Sequence, residues 1–188
     1  MSGGAGVPSR AVSWTNPANA VTLLRVALVP VIAVLLWMDG DAARWWAAGV
    51  FAVAALSDSV DGWVARRLAG STRWGQLADP LADKALVIAT LGILALRGEL
   101  SWLVVAVVVI REVAVTVQRS LLAARGIVMP ASIYGKLKTV SQLVAITLYL
   151  VPTVPRGIAA AVMALAVVAT VASGAEYAWR GRRLVRAR

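Results

Sequence analysis

A chain of 188 residues that is 60% hydrophobic and 15% charged, with a mean hydropathy of +0.79, lies well outside the composition of a soluble domain and reads as an integral membrane protein. The formal charge of +10 is explained first by membrane topology and anionic head groups, which sets nucleic-acid binding aside. With no cysteine and no histidine, disulfides, thiolate metal sites and imidazole ligands are excluded, and oxygen donors remain.

In chain order, residues 1–15 read as a mobile Gly-, Ser- and Pro-rich tail, 16–179 as one transmembrane domain and 180–188 as a basic tail. Six apolar stretches long enough to span the bilayer are expected at Ala20–Met38, Ala42–Ala65, Leu77–Leu96, Trp102–Ala123, Val140–Val154 and Ile158–Trp179. The predicted fold class is therefore an all-α integral membrane protein with six transmembrane helices and a short N-terminal interfacial segment. MDGDAARWW follows the first stretch in place of a small-residue cleavage site, so a removable signal peptide is not expected. Trp14, Trp37, Trp45, Trp46, Trp102 and Trp179 fall near predicted helix ends and read as interfacial anchors rather than a base-stacking platform.

Basic residues concentrate in alternate connections. Arg66, Arg67 and Arg73 lie between the second and third stretches, Arg119, Arg125, Lys136 and Lys138 between the fourth and fifth, and five arginines follow the sixth. The remaining connections hold Arg44, Arg97 and Arg156, offset by Asp39, Asp41 and Glu99. The positive-inside rule then places both termini and the aspartate-rich face in the cytoplasm.

The stretch DSVDGWVARRLAGSTRWGQLADPLADK, residues 58–84, sets four aspartates into otherwise apolar sequence. Each costs roughly 2.5–3.5 kcal/mol at a helix centre in lipid, and a bound cation is the simplest compensation. Asp58, Gly62 and Arg66 recur at i, i+4 and i+8 with Asp61 beside them, and Gly75, Asp79 and Asp83 repeat the interval on the next helix. A short loop from Arg67 to Trp74 would bring the two stripes face to face. Carboxylate oxygens suit Mg²⁺ or Mn²⁺ with open positions for phosphate, and Gly62 and Gly75 admit a ligand close to the backbone. Pro80 is expected in the first turn of its helix, where a missing N–H costs little. Each aspartate alone could instead charge a helix end; glycine and arginine at matching intervals favour the metal site.

DSVDGWVAR, eight residues, then GQLADPLAD resembles the signature of the CDP-alcohol phosphotransferase family, DxxDGxxAR followed by GxxxDxxxD, with every fixed position present. The resemblance extends through NPANAVTLLRVALVP, IREVAVTVQR and GKLKTVSQ, from about Asn16 to Ala178. Proline at position 17 stands one place earlier than in the usual NxPN, while Asn19 and Thr22 still match. Within the family the chain looks most like the branch that joins CDP-diacylglycerol and glycerol 3-phosphate to give phosphatidylglycerophosphate and CMP. The resemblance implies two divalent cations, Mg²⁺ or Mn²⁺, held by Asp58, Asp61 and Asp79, with Asp83 as the base that accepts the alcohol proton and as a further metal contact. It implies Asn19, Thr22, Gly62, Arg66, Thr72 and Gly75 around the CDP-lipid, a homodimer, and a bacterial-type plasma (inner) membrane with a cytoplasmic active site.

The dianionic phosphate of the acceptor requires cations that the metals do not replace. Arg111, Arg119, Lys136 and Lys138 are the candidates, with an internal ion pair to Glu112 the competing reading for Arg111. Cardiolipin synthases of the same family, which use phosphatidylglycerol, tend to carry asparagine at the position of Lys138, so that lysine favours the doubly charged, water-soluble acceptor. Inositol phosphate is a further possible acceptor. A cation transporter lined by the carboxylates is the alternative from another class, and it leaves Gly62, Arg66 and Gly75 unexplained.

Overall fold

The computed structural model describes the backbone of residues 17–38, 40–68, 73–127, 129–130 and 132–186, and within these the side chains of 26–56 and of 84 onward. Six helices follow one another among the described residues: α1 (Pro17–Trp37), α2 (Asp41–Leu68), α3 (Arg73–Leu96), α4 (Trp102–Ala124), α5 (Ile133–Leu150) and α6 (Arg156–Arg186). The protein is all-helical.

Local chemistry sets the helix ends. Ser101 caps α4 by accepting from the Leu103 N–H at 3.2 Å, and Ser132 caps α5 by accepting from the Gly135 N–H at 3.0 Å. Two glycines with positive φ, Gly98 at 71° and Gly126 at 72°, close α3 and α4. At each, paired bonds return to the last turn: Gly98 to Ala95 O at 3.0 Å with Glu99 to Leu94 O at 2.9 Å, and Gly126 to Ala123 O with Ile127 to Leu122 O, both at 2.9 Å. The first of these turns folds Glu99 back toward the helix ends around it. Pro152 follows the end of α5, and the Pro155 carbonyl accepts from Ile158 and Ala159 to start α6.

The helices are longer than their apolar stretches. α5 begins at Ile133, ahead of the expected Val140, and ends at Leu150; α6 continues from Trp179 to Arg186, and α3 starts at Arg73. Hydropathy locates the segment that lipid would cover, whereas the hydrogen-bonded helix runs on through GKLK and through the terminal arginines. Pro80 accordingly lies in the interior of α3, about two turns from its start, and not in the first turn.

α1 packs on α2 and α3, α5 on α6, and α4 on α6, with α2–α5 and α3–α4 contacts joining the groups. The core between them combines large side chains such as Ile32, Phe51, Leu86, Leu94, Ile146 and Leu150 with small ones at Ala47, Ala145, Ala159 and Ala166, all almost fully buried. The alanines let helix backbones approach closely. The distribution of polarity is inverted relative to a water-soluble bundle. Val53, Leu103, Ile110, Leu165 and Val168 point outward, more than 60% exposed, whereas Glu112, Lys138, Gln142, Thr170 and Ser173 are buried. Trp37, Trp45, Trp46 and Trp102 are exposed near helix ends, and Trp179, also exposed, stands about two turns inside the end of α6, which runs on past its expected boundary; Trp14 lies outside the described residues. By length and composition alone, α6 is the one helix among the described residues long and apolar enough to cross a membrane.

One end of the bundle is fastened by a single carboxylate. Glu99 accepts from Arg44, from Arg97 Nε at 2.8 Å and from Arg156 at 2.6 Å, joining the α3–α4 connection to the first turns of α2 and α6, just past the other two connections at this end. Arg97 also donates to the Leu36 carbonyl and Arg156 to that of Tyr149 at 2.8 Å.

Candidate active site

Asp58, Asp61, Gly62 and Arg66 lie on α2, and Gly75, Asp79 and Asp83 on α3, so each expected stripe occupies one continuous helix. Asn19 and Thr22 lie on α1. The side chains of all these residues, and Thr72 altogether, lie outside the described residues, and the expected metal and CDP-lipid sites lie there with them. Among the described residues no group of three or more Asp, Glu, His or Cys side chains is placed to hold an ion.

Immediately after Asp83 comes Lys84, and here the described side chains build a charged cluster. Lys84 Nζ lies 3.6 Å from Glu112 Oε2 on α4 and donates to the Thr116 hydroxyl one turn further on. Lys138 on α5 donates to Glu112 Oε1, and Arg111 reaches the same oxygen at 3.1 Å. Three helices thus bring three cations to one carboxylate. Arg111 also donates to the Ser173 hydroxyl on α6, and its guanidinium stands 5.5 Å from the Tyr177 ring centroid. Its Nε is buried without a hydrogen-bond partner.

The sequence spacing explains the assembly. Thr170, Ser173 and Tyr177 fall at i, i+3 and i+7 on one face of α6, turned toward α4 and α5. Gln142 on α5 donates to Thr170 at 2.9 Å, Gln118 on α4 donates to the Tyr177 carbonyl at 2.9 Å, and the Tyr177 hydroxyl accepts from the Ser132 N–H at 3.2 Å. Gly174 leaves room for Arg111 to cross, since a Cβ there would stand 3.3 Å from Arg111 Cγ. Buried polar groups are expensive unless bonded, so this lattice fixes how α4, α5 and α6 dock.

Of the four cations singled out for an acceptor phosphate, the structure brings Arg111 and Lys138 together in the buried cluster and leaves Arg119 and Lys136 exposed. The internal ion pair weighed for Arg111 is present. Sequence reasoning did not single out Lys84, Ser173 or Tyr177, nor Glu112 as a hub. The available signal was a charge directly following the last aspartate, and polar residues at helical intervals in an apolar segment.

Residues 15–172 match the family model for CDP-alcohol phosphatidyltransferase. The chain belongs to this family. Relatives include the probable phosphatidylglycerophosphate synthase of Mycobacterium tuberculosis strain H37Rv, 42% identical over 173 residues that cover 89% of this chain and 82% of that protein. A CDP-diacylglycerol–glycerol-3-phosphate 3-phosphatidyltransferase of Bacillus subtilis strain 168 is 36% identical over 181 residues, covering 86% and 93%. One of the same description from Cereibacter sphaeroides is 35% identical over 146 residues, covering 76% and 66%. As a CDP-alcohol phosphatidyltransferase the chain is an enzyme, and its matched span includes both aspartate stripes together with Lys84, Arg111, Glu112 and Lys138.

Proposed function

We propose that this phosphatidyltransferase moves the phosphatidyl group of CDP-diacylglycerol to glycerol 3-phosphate, giving phosphatidylglycerophosphate and CMP. The printed names of its relatives support that choice of substrates. The structural observation that carries it is the buried surplus of cations at Glu112, one residue in sequence beyond the last aspartate, because a phosphate-bearing acceptor needs such a pocket beside the reacting centre. Arg111 and Lys138 would form that pocket, with Arg119 and Lys136 at its exposed margin.

In this reading the acceptor hydroxyl attacks the phosphatidyl phosphorus in line. The new oxygen–phosphorus bond forms as the bond to CMP breaks, and the hydroxyl proton passes to the Asp83 carboxylate. Asn19, Thr22, Gly62, Arg66, Thr72 and Gly75 would hold and orient the CDP-lipid. Asp58, Asp61, Asp79 and Asp83 would hold two divalent cations, Mg²⁺ or Mn²⁺; an oxygen-only donor set in a chain without Cys or His suits such hard ions. Bound there, the cations would neutralise the pyrophosphate and stabilise the CMP leaving group.

The outward apolar and inward polar side chains support six transmembrane spans, and the alternation of basic connections supports cytoplasmic termini and a cytoplasmic active site in a bacterial-type plasma membrane. The domain is taken as 16–179, preceded by the tail 1–15 and followed by the basic segment 180–188, and the functional unit as a homodimer. Purified protein is offered CDP-diacylglycerol with glycerol 3-phosphate, inositol phosphate or phosphatidylglycerol, and CMP is measured. CMP release with glycerol 3-phosphate, abolished by chelation and restored by Mg²⁺ or Mn²⁺, is the expected result. Turnover with another acceptor alone would overturn the substrate assignment.

A further inference from the structure

We propose that Glu112 is the positioning and specificity residue of the acceptor pocket, gathering Lys84, Arg111 and Lys138 into a cluster whose surplus charge matches a phosphate monoester dianion. The proposal rests on the acceptor assignment made above. Among the described residues three cations meet one carboxylate, which leaves two positive charges there without an acidic partner. Arg111, Glu112 and Lys138 are only 11%, 8% and 7% exposed, and a surplus charge held that far from water is expensive unless a partner completes it. Two more carboxylates would have made the cluster neutral and purely structural. Among the described residues the partners beyond Glu112 are uncharged, the Thr116 hydroxyl for Lys84 and the Ser173 hydroxyl and Tyr177 ring for Arg111, and Arg111 Nε is buried without a hydrogen-bond partner. A phosphate monoester supplies two charges and three acceptor oxygens, whereas a phosphodiester supplies one charge and leaves the site unbalanced.

Glu112 serves this pocket without touching the ligand's charge. It places one cation from each of α3, α4 and α5 around a shared carboxylate, so that the phosphate meets donors already aimed. Lys84 is the most exposed of the three at 30%, which puts it at the open side of the cluster. Removing Glu112 raises the surplus to three charges and frees Lys138 and Arg111 to splay; removing Lys84 lowers it to one while leaving the buried pair intact.

The test uses the full-length protein in detergent, with inorganic phosphate as a calorimetric probe and both KM values measured in parallel. Glu112→Gln is expected to weaken phosphate binding and to raise KM for glycerol 3-phosphate about tenfold, with KM for CDP-diacylglycerol within about twofold. Glu112→Asp, which keeps the charge, is expected to recover binding to within about threefold of the parent. Should Glu112→Gln fail to fold, Lys84→Gln gives the same reading at a half-buried position, with KM for glycerol 3-phosphate up about fivefold and KM for the lipid unchanged. Equal changes in both KM values, or phosphate affinity unaltered in both variants, would overturn the proposal. A parent protein that binds phosphate and loses it in Glu112→Gln, yet turns over only a non-phosphorylated acceptor, would overturn the substrate assignment and leave the anion site standing.

Discussion

Replacing Glu99 with glutamine removes the charge on which three connections converge while keeping the shape of the side chain. Arg44 and Arg97 are 15% and 24% exposed, and Arg156 is 50% exposed. Charge-assisted hydrogen bonds shielded to the degree of the first two contribute about 1.5–3 kcal/mol each, and a half-exposed pair contributes about 0–1 kcal/mol. The glutamine oxygen retains one neutral acceptor of about 1 kcal/mol, so the net loss is about 2–6 kcal/mol. For a chain of this length that lowers the thermal midpoint by about 5–15 °C, read by circular dichroism in detergent at pH 7. The pH dependence supplies a second check. Burial alone raises the Glu99 carboxyl, but hydrogen bonds from Arg97 and Arg44 and the charges of Arg44 and Arg156 outweigh it and hold the group below its ordinary value. A depressed folded value means that the stabilisation is complete above the unfolded carboxyl range, near pH 4.3, and disappears as pH falls through the folded value. The parent and Glu99→Gln curves should therefore differ at neutral pH and converge in acid. A midpoint within about 2 °C of the parent at pH 7, or a gap that persists at the lowest pH, would refute the reasoning.

Three further substitutions probe the site. Asp83→Asn should reduce CMP formation at least a hundredfold while CDP-diacylglycerol binding stays within about threefold, because the proton acceptor is lost while the amide oxygen and Asp58, Asp61 and Asp79 can still hold the cations; undiminished turnover removes Asp83 from that role. Lys136→Ala should raise KM for glycerol 3-phosphate about fivefold with little change for the lipid if this exposed lysine serves the charged acceptor as proposed; equal effects on both indicate a structural lysine. Gly174→Leu should displace Arg111, whose Cγ would lie 3.3 Å from the new Cβ. Overpacking of this kind costs about 1–3 kcal/mol, and loss of glycerol 3-phosphate affinity should accompany the lowered thermal midpoint.

The sequence carried the helices and the chemistry unequally. Apolar stretches gave the number and order of the helices because length and hydropathy are local properties. Their ends were misplaced where helix and hydrophobicity part company: Lys136 and Lys138 stand inside α5, ahead of its apolar run, and Arg180–Arg186 continue α6. Pro80 was read as a helix start because proline favours that position, but the helix had already begun at Arg73. The aspartate stripes were legible because both residue type and interval are written in one segment, and the structure places each stripe on one helix. The cation cluster was not, because it joins positions 84, 112 and 138 across three helices, and nothing in a single sequence reports which helix faces meet. Arg111 and Glu112 could be paired from adjacency; Ser173 could not.

The carboxylate-centred clusters at Glu99, by the helix ends, and at Glu112, midway along α4, have the same nominal charge, three cations around one acid, yet they differ in how the surplus is satisfied. At Glu99 each arginine also donates to a backbone carbonyl, Arg44 and Arg156 to Tyr149 and Arg97 to Leu36, and Arg156 extends into solvent. These are helix-end carbonyls, where positive charge is favourable, so the surplus ties the ends of α1 and α5 to the turn after α3. At Glu112 the helices continue through the cluster and their carbonyls are spent within them, and among the described residues its cations turn instead to two hydroxyls and the Tyr177 ring, with Arg111 Nε buried without a hydrogen-bond partner. The same count of charges therefore fastens helix ends at Glu99, whereas at Glu112, in the reading proposed above, an anion completes it. Adding sulfate or phosphate should stabilise the parent protein through the inner cluster alone, and Glu112→Gln, not Glu99→Gln, should remove that stabilisation.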